Sequence, residues 1–374
     1  MKTFEAGVFR NQGTYISFLP SKINRNWKIE DMALLQLLGE ADRQIGRLDM
    51  YSEYIPNMNL FISMHIVKEA SQSSKIEGTK TNIEEALLDR EDILADKRAD
   101  WEEVQNYIKA LDTAIYKLKK LPLSSRLLRE THKILLQGVR GKHKLPGSFR
   151  KSQNWIGGSN INTATFVPPH HSEIDTCMAD LENFTHNTNF YFPDLLKIAL
   201  LHYQFETIHP FLDGNGRVGR LLITLYLVER KILKNPVLYL SDFFEKNRDS
   251  YYEKLTKVRQ NNEIVEWFSF FLEGVIATAK SSIQTFDKVL KLQNEVEILI
   301  QSLGRRTHNA QLLLNHLFQK PVVNAQKTQE ITQLSAPSSY KLLKDMEALK
   351  ILQEITGSKR GRTYVFKTYI ELFH

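Results

Sequence analysis

The segment from His209 to Arg220 concentrates the side chains that phosphate chemistry needs, in the order His-Pro-Phe-Leu-Asp-Gly-Asn-Gly-Arg-Val-Gly-Arg. Histidine titrates near neutrality, so His209 is a candidate general base. Asp213 follows shortly after it, and Mg²⁺ in proteins is typically bound by one or two carboxylates together with phosphate oxygens and water. The spacing therefore predicts a base and a metal ligand at one site.

The residues after Asp213 are typical of a helix N-terminus that binds an anion. The apolar spacing is helical on both sides of the segment, so a helix is predicted to begin at Gly214, Asn215 and Gly216. Free N–H groups at a helix start favour phosphate, and glycine lets the backbone approach it closely. Arg217 and Arg220 are predicted to lie on one helix face, where their guanidinium groups can bind phosphate oxygens.

A Gly-Asn-Gly sequence alone also fits an ordinary turn between two helices, with Asp213 as a cap and two solvated arginines. The full string is more specific, because it matches the pattern His-x-Phe-x-[Asp/Glu]-Gly-Asn-Gly-Arg-x-x-Arg at every fixed position. The chain resembles the Fic family in this motif. It also resembles the family in Pro-Gly-Ser-Phe-Arg at 146–150 and in Asn-Arg-x-x-Tyr-Tyr at 247–252.

The resemblance implies a protein adenylyltransferase with a mainly α-helical Fic core that uses ATP and Mg²⁺. His209 would deprotonate a Ser, Thr or Tyr hydroxyl of a target protein or of the chain itself, and that oxygen would attack the α-phosphorus of ATP. Asp213 would hold Mg²⁺. The residues implied to bind the nucleotide along the motif are Gly214, Asn215, Gly216, Arg217, Val218, Gly219 and Arg220.

Two further features of the family have counterparts in this chain. Tyr251 and Tyr252 are expected beside the adenine, although the pattern fits two tyrosines on a core face of a helix equally well. The irregular stretch 158–169 lies where the family has its flap, which pairs with a target peptide as an added strand. Residues 160–167 are rich in Thr, Asn and β-branched side chains, which predicts a small β-hairpin there.

A second string, Ser73-Ser-Lys-Ile-Glu77-Gly78, precedes the motif. Ser73 and Glu77 are predicted to share one helix face, and Gly78 is a natural helix end. The string fits a surface helix end, but it also matches the Fic inhibitory pattern [Ser/Thr]-x-x-x-Glu-[Gly/Asn]. The resemblance implies a salt bridge from Glu77 to Arg220 that keeps this arginine from the γ-phosphate.

Apolar residues at three- and four-residue spacing predict an overwhelmingly helical chain. The predicted helices of the first part are 31–49, 57–77, 100–119, 194–208, 217–232 and 249–259. The predicted domains are an N-terminal helical region with the inhibitory helix (1–100), a Fic catalytic domain (101–277), a linker helix (278–304) and a winged-helix domain (305–374).

The C-terminal domain carries nearly all of the chain's formal net charge of +7, with eleven Lys/Arg against five acids from residue 301 onward. Helices predicted at 308–318, 325–334 and 337–349 precede a strand-like alternation, which is the winged-helix order. The wing would carry Lys359, Arg360 and Arg362, so DNA is an expected partner. Dimerisation or target docking fits as well, because the recognition helix also carries Asp345 and Glu347.

The bulk composition limits the cellular setting. Cys177 is the only cysteine, so the chain cannot form an internal disulfide. No apolar run is long enough for a membrane helix, and the first residues do not form a signal peptide. These features predict a cytoplasmic protein without a membrane partner.

The predicted function is therefore an auto-inhibited protein adenylyltransferase, with a homodimer as a further expectation. The sequence alone leaves two alternatives open. One is a Fic enzyme that transfers another phosphate-linked group. The other is a DNA-binding regulator in which the Fic domain only senses a nucleotide.

Overall fold

The computed structural model describes residues 4–54, 58–357 and 361–374, and helices dominate it. The helices up to the motif are α1 (Met32–Tyr54), α2 (Met58–Ile76), α3 (Ile83–Leu87), α4 (Arg98–Leu118), α5 (Ser125–Leu135), α6 (Ile174–His186) and α7 (Asp194–Ile208). Those that follow are α8 (Asn215–Glu229), α9 (Ser241–Lys246), α10 (Arg248–Asn261), α11 (Ile264–Gln301), α12 (Thr307–Gln319), α13 (Ala325–Thr332), α14 (Ala336–Ala348) and α15 (Lys367–Ile370). The strands are β1 (Gly7–Asn11), β2 (Ile16–Pro20), β3 (Val322–Asn324), β4 (Gln353–Glu354) and β5 (Thr363–Val365). The predicted mainly α fold is confirmed.

Helix α7 forms the centre of the molecule, because every residue from Leu195 to Ile208 is buried. Such all-round burial needs neighbours on every side, and α6, α8 and α11 provide them. From α11, the indole Nε1 of Trp267 donates a hydrogen bond of 2.8 Å to the carbonyl of Ala199. Helix α7 is therefore packed on all sides along its length, and His209 follows directly at its end.

The N-terminal region predicted as helical begins instead with the antiparallel hairpin β1–β2. The chain turns around Gly13, whose φ of +89° favours glycine. The hairpin lies against the flap, because the amide of Phe18 donates to the carbonyl of Val167 over 2.9 Å. This hairpin was not anticipated in the predicted N-terminal helical region (1–100).

The flap is a hairpin-like loop with less strand than expected. Its only β-bridge among the described residues joins Ile156 and Phe166, while Ile161–Thr163 forms a 3₁₀ turn. The side chain of Asn160 accepts hydrogen bonds from the amides of this turn, which caps it and takes the place of strand pairing. The pairing therefore lies at the base of the loop and does not run through 160–167.

Helix α11 continues without a break through residue 278, where the linker helix was predicted to begin. Beyond it, α12, α13 and α14 pack with a three-stranded sheet in the order β3-β5-β4. Of the wing residues, Lys359 and Arg360 lie outside the described residues. On α14, Asp345 pairs with Arg306 at 2.8 Å. The winged-helix assignment, DNA binding and dimer formation stay predictions.

The C-terminal region contacts α2, the helix that leads to the string at 73–78. The rings of Phe61 and Phe318 lie 5.8 Å apart. The hydroxyl of Ser63 donates to the carbonyl of Gln319 over 2.8 Å. Across the parts of the chain that the structure describes, no helix combines the length and apolar character needed to cross a membrane.

Candidate active site

His209 lies at the turn where α7 ends. Its φ of +50° places it in the left-handed region, which is uncommon for a residue with a side chain. Gly214 also has a positive φ, +74°, and α8 begins directly after it. The residues between them thus form a tight connection that brings His209 and Asp213 to the N-terminus of α8.

Asn215 and Phe211 close this connection from inside. The side-chain amide of Asn215 donates to the carbonyl of Phe211, and its oxygen accepts from the Phe211 amide, both over 2.8 Å. Both residues are buried. The phenyl ring of Phe211 stacks on the imidazole of His132 with 3.8 Å between ring centroids.

His132 on α5 supports the loop, and its local sequence does not indicate this role. Its Nδ1 accepts a hydrogen bond from the amide of Gly147 at 2.8 Å, so its Nε2 carries the proton and donates to the carbonyl of Asp213 at 2.9 Å. Burial lowers the pKa of His132 to about 4, which keeps this arrangement neutral at pH 7.

Arg150, in the segment Pro-Gly-Ser-Phe-Arg, holds the loop from the other side. Its side chain is 2% exposed and donates to the carbonyls of His209 at 3.0 Å and Pro169 at 2.6 Å, with a longer contact to that of Ser152 at 3.3 Å. It therefore ties the turn at His209 to the end of the flap.

Replacing Arg150 by methionine is expected to destabilise the fold by about 3 kcal/mol, because buried carbonyls would lose their donor. The measurement is urea unfolding at pH 7.5. Lys151→Met is the matched control, since this neighbour is exposed and should change stability by less than about 0.5 kcal/mol. Equal stability of the two variants would contradict the role assigned to Arg150.

His209 is half-buried, and its imidazole is neutral at pH 7. Burial and the charge of Arg150 lower its pKa to about 4, against smaller raising effects that include the carboxylate of Glu77. A neutral imidazole has a free lone pair and can accept a proton. The side chain thus has the protonation state that a general base needs.

Asp213 is the carboxylate of the loop, and its side chain is 39% exposed. One oxygen accepts from the amide of Gly214 at 2.6 Å, and Arg217 lies 3.6 Å away. In the described part of the chain, no group of three or more His, Cys, Asp or Glu side chains is placed to hold a metal ion. The residues fit Mg²⁺ that takes one carboxylate and completes its shell with phosphate oxygens and water.

Arg217 and Arg220 lie three residues apart on α8, as predicted, but their side chains bind different partners. The guanidinium of Arg217 donates to Glu103 of α4 over 3.0 Å, and both side chains are buried. Glu103 also accepts from Arg140 over 2.7 Å. Spacing along α8 fixes the backbone positions of the two arginines. It does not fix the positions of the guanidinium groups at the ends of such long side chains.

Arg220 is bound by residues 73–78, the segment predicted to be inhibitory and called the inhibitory segment below. Its Nη2 donates to Glu77 Oε1 at 2.7 Å and to the carbonyl of Ser73 at 2.9 Å, while its Nε donates to the Ser73 hydroxyl at 2.8 Å. Burial is the largest single effect and raises the pKa of Glu77, but the charge and hydrogen bond of Arg220, together with the electrostatic effects of Arg217 and His209, make the net shift downward. The ion pair that the resemblance implied is present.

The carboxylate of Glu77 also covers the start of α8. A Cβ atom added to Gly216 would lie 2.2 Å from Glu77 Oε1, so only glycine leaves room for this approach. Gly78 ends the segment with a φ of +99°, which again favours glycine. Glu77 therefore stands at the helix N-terminus where an anion is favoured.

Tyr251 and Tyr252 differ in their surroundings. Tyr251 is 1% exposed, and its hydroxyl donates to Nε2 of His202 at 2.8 Å. The Nδ1 of His202 in turn bonds the carbonyl of Gly219 at 2.8 Å. Tyr252 is 40% exposed, with its pKa raised by burial and by the nearby charge of Glu77. Only Tyr252 thus presents an open face.

The remaining candidates belong to the interior. Val218 is fully buried in α8 and contributes to the core. Cys177 is buried on α6, and burial raises the pKa of its thiol to about 12, so it is not a nucleophile at neutral pH.

Two family models match the chain: "Fic/DOC family N-terminal" over residues 35–116 and "Fic/DOC family" over residues 122–227. A probable protein adenylyltransferase from Aquifex aeolicus is 25% identical over 271 residues, which are 68% of this chain and 81% of that protein. The protein adenylyltransferase Fic of Aedes aegypti is 36% identical over 83 residues, or 22% of this chain and 15% of that protein.

Solved structures show the same fold. A Fic family protein from Desulfovibrio desulfuricans superposes with a TM-score of 0.59 at 20% identity, covering 91% of this chain and 98% of that one. Fic-1 from C. elegans (residues 134–508) gives 0.52 at 18% identity, covering 70% and 75%. With the two models together matching about half of the sequence, the chain belongs to the Fic/DOC family.

Proposed function

We propose that the chain transfers AMP from ATP to Ser, Thr or Tyr hydroxyls of target proteins and of itself. The observation that carries the proposal is the turn at His209, which sets a neutral imidazole and the Asp213 carboxylate at a glycine-lined helix start. The names of the Aquifex and Aedes relatives support the same activity.

His209 is the general base of this reaction. It takes the proton of the target hydroxyl, whose oxygen attacks the α-phosphorus. The bond from that phosphorus to the bridging oxygen breaks, pyrophosphate leaves, and the AMP remains linked to the target through a new P–O bond. Positioning and charge stabilisation supply most of the rate in such transfers.

The start of α8 binds the phosphates in this proposal. Backbone N–H groups of Asn215 and Gly216 face the anion, while that of Gly214 donates to Asp213. Arg220 neutralises the γ-phosphate once Glu77 has left it. Arg217, held between Glu103 and Asp213, adds positive charge at the base of the loop. Asp213 would hold Mg²⁺, which neutralises charge on the phosphates when bound.

The contact between Glu77 and Arg220 makes the enzyme auto-inhibited in our proposal. The carboxylate binds the arginine and occupies the space beside Gly216 that a phosphate needs. ATP can then bind only in a pose that does not lead to transfer. The inhibitory segment is part of the same chain, so inhibition needs no partner.

The experiment that tests the transferred group compares ATP labelled at the α-phosphate with ATP labelled at the γ-phosphate. The Glu77→Gly protein is incubated with each and then denatured and washed. Label retained from the α position alone is expected, because the AMP stays and the pyrophosphate leaves.

The other outcomes correspond to the alternatives. Label retained from the γ position would mean transfer of a different phosphate-linked group. Nucleotide binding without any retained label would favour a nucleotide sensor over an enzyme. The cytoplasmic location and the identity of protein partners stay predictions.

A further inference from the structure

Glu206 is a buried carboxyl group that the proposed reaction does not use. It lies on α7, one turn before His209, and is 7% exposed. Its Oε1 has no hydrogen-bond partner among the described residues. Buried polar atoms are nearly always paired with protein, water or ligand, so an unpaired carboxyl oxygen beside a candidate site indicates a missing partner.

The absence of a side chain at a glycine on α8 leaves the space that this carboxyl group occupies. A Cβ atom on Gly219 would lie 2.3 Å from Glu206 Oε1, just as one on Gly216 would lie 2.2 Å from Glu77 Oε1. Gly216 and Gly219 are three residues apart and therefore share a helix face. This bare face of α8 carries the Glu77 carboxylate at its N-terminal end and the Glu206 carboxyl group one turn further along.

The end of this face that carries Glu206 lies towards Tyr251 and Tyr252. Gly219 is joined through His202 to the hydroxyl of Tyr251, by the two hydrogen bonds of 2.8 Å described above. Charge on Glu206 also acts on both Tyr251 and Tyr252. Glu206 thus lies beside the aromatic pair, while the phosphate-binding amides lie at the other end.

The charged groups around Glu206 come from three elements. Arg220 of α8 and Arg259 of α10 favour its ionised form, and Glu77 after α2 opposes it. Burial is the largest effect, and the pKa of Glu206 is raised to about 7. Near neutral pH, the carboxyl group can therefore both donate and accept a hydrogen bond.

We propose that Glu206 accepts a hydrogen bond from the nucleoside of bound ATP, given by a ribose hydroxyl or by the adenine amino group. The inference rests on the proposed function, since it assumes that the phosphates lie at residues 214–216. Glu206 would then set the selectivity for the nucleotide, because a buried acceptor rejects an analogue that lacks its donor.

The test uses the Glu77→Gly/His209→Ala protein, which should bind nucleotides without consuming them. Dissociation constants are measured calorimetrically for ATP, 2′-deoxy-ATP, 3′-deoxy-ATP and purine riboside triphosphate, which lacks the amino group. With Glu206 present, one of the three analogues is expected to bind about ten- to a hundredfold more weakly than ATP. The weakened analogue identifies the donor.

Substitutions at Glu206 decide whether this residue is responsible. Glu206→Leu should bring the ratio of the dissociation constant of the weakened analogue to that of ATP close to one. Glu206→Gln should keep part of this ratio through its amide oxygen. Thr207→Val is the matched control, because Thr207 follows Glu206 in the chain and its hydroxyl group is also buried and unpaired. The control should leave the ratio unchanged, and the midpoint of thermal unfolding verifies that each variant is folded.

Two results would overturn the inference: equal binding of ATP and all analogues, or an unchanged ratio in Glu206→Leu. AMP transfer by the Glu77→Gly protein is measured separately. Transfer without nucleotide selectivity removes only the role of Glu206. Selective binding without transfer removes only the proposed function.

Discussion

Replacing His209 by alanine in the Glu77→Gly protein is expected to lower the rate of AMP transfer by about a hundred- to ten-thousandfold, the range typical for loss of a general base. Its imidazole is neutral, since burial and Arg150 lower its pKa to about 4. The loop offers only one other titratable side chain, Asp213, which is assigned to the metal. The rate is measured by incorporation of α-labelled ATP into the protein.

The control for this loss is binding of ATP, which should change little because the phosphate site starts at Gly214. His170→Ala serves as a matched histidine control. His170 lies beside the flap, where its Nδ1 bonds the hydroxyl of Ser172 over 2.8 Å. If His209→Ala kept the rate while His170→Ala lowered it, the assignment of the base would be wrong.

Most of the helical core could be predicted from the sequence because its signals are local. The apolar spacing places α7 and α8 within three residues of their observed bounds. The β1–β2 hairpin was missed because its five-residue strands carry exposed apolar side chains, such as Phe9 at 60%, and give no clear alternation. The flap was assigned too much strand because a side-chain cap at Asn160 competes with pairing.

The chemistry of the loop could be anticipated for the same reason, since His209 and Asp213 are close in sequence. The residues that hold the loop could not be predicted from the sequence. His132 contacts the carbonyl of Asp213 across 81 positions, Arg150 that of His209 across 59, and Glu103 contacts Arg217 across 114. A single sequence does not show which distant polar residues will meet, and each of these was visible only in the folded chain.

The contact of Ser73 and Glu77 with Arg220 could be predicted from the sequence only in part. Ser73 and Glu77 are 147 and 143 positions from Arg220. Periodicity and charge alone indicate only that Glu77 needs a cationic partner, because a carboxylate at a helix C-terminus is disfavoured. The resemblance to Fic proteins supplied the partner, and the geometry then added the close approach to Gly216.

Glu77→Gly is expected to raise self-modification and target modification with ATP by about ten- to a hundredfold, equivalent to about 1.4–2.7 kcal/mol of lost inhibitory interaction. The substitution removes the hydrogen bond of 2.7 Å to Arg220 and frees the space at Gly216. Ser73 still binds the arginine through its hydroxyl and carbonyl oxygens. Arg220 therefore stays ordered but becomes available to the γ-phosphate. Intact mass after incubation with Mg·ATP measures the gain of AMP.

Stability separates this explanation from a general loosening of the chain. Arg220 lowers the pKa of Glu77, so the stabilising effect of the pair is present above the ordinary glutamate pKa and is lost as pH falls through the lowered value. At pH 7.5 the variant should therefore be less stable, by about 1 kcal/mol because the carboxylate is partly exposed. Glu77→Gly/Arg220→Ala should lose the gained activity, since the arginine is the group that inhibition withholds. A variant with wild-type activity and reduced stability would show that the ion pair holds the fold and does not restrain the reaction.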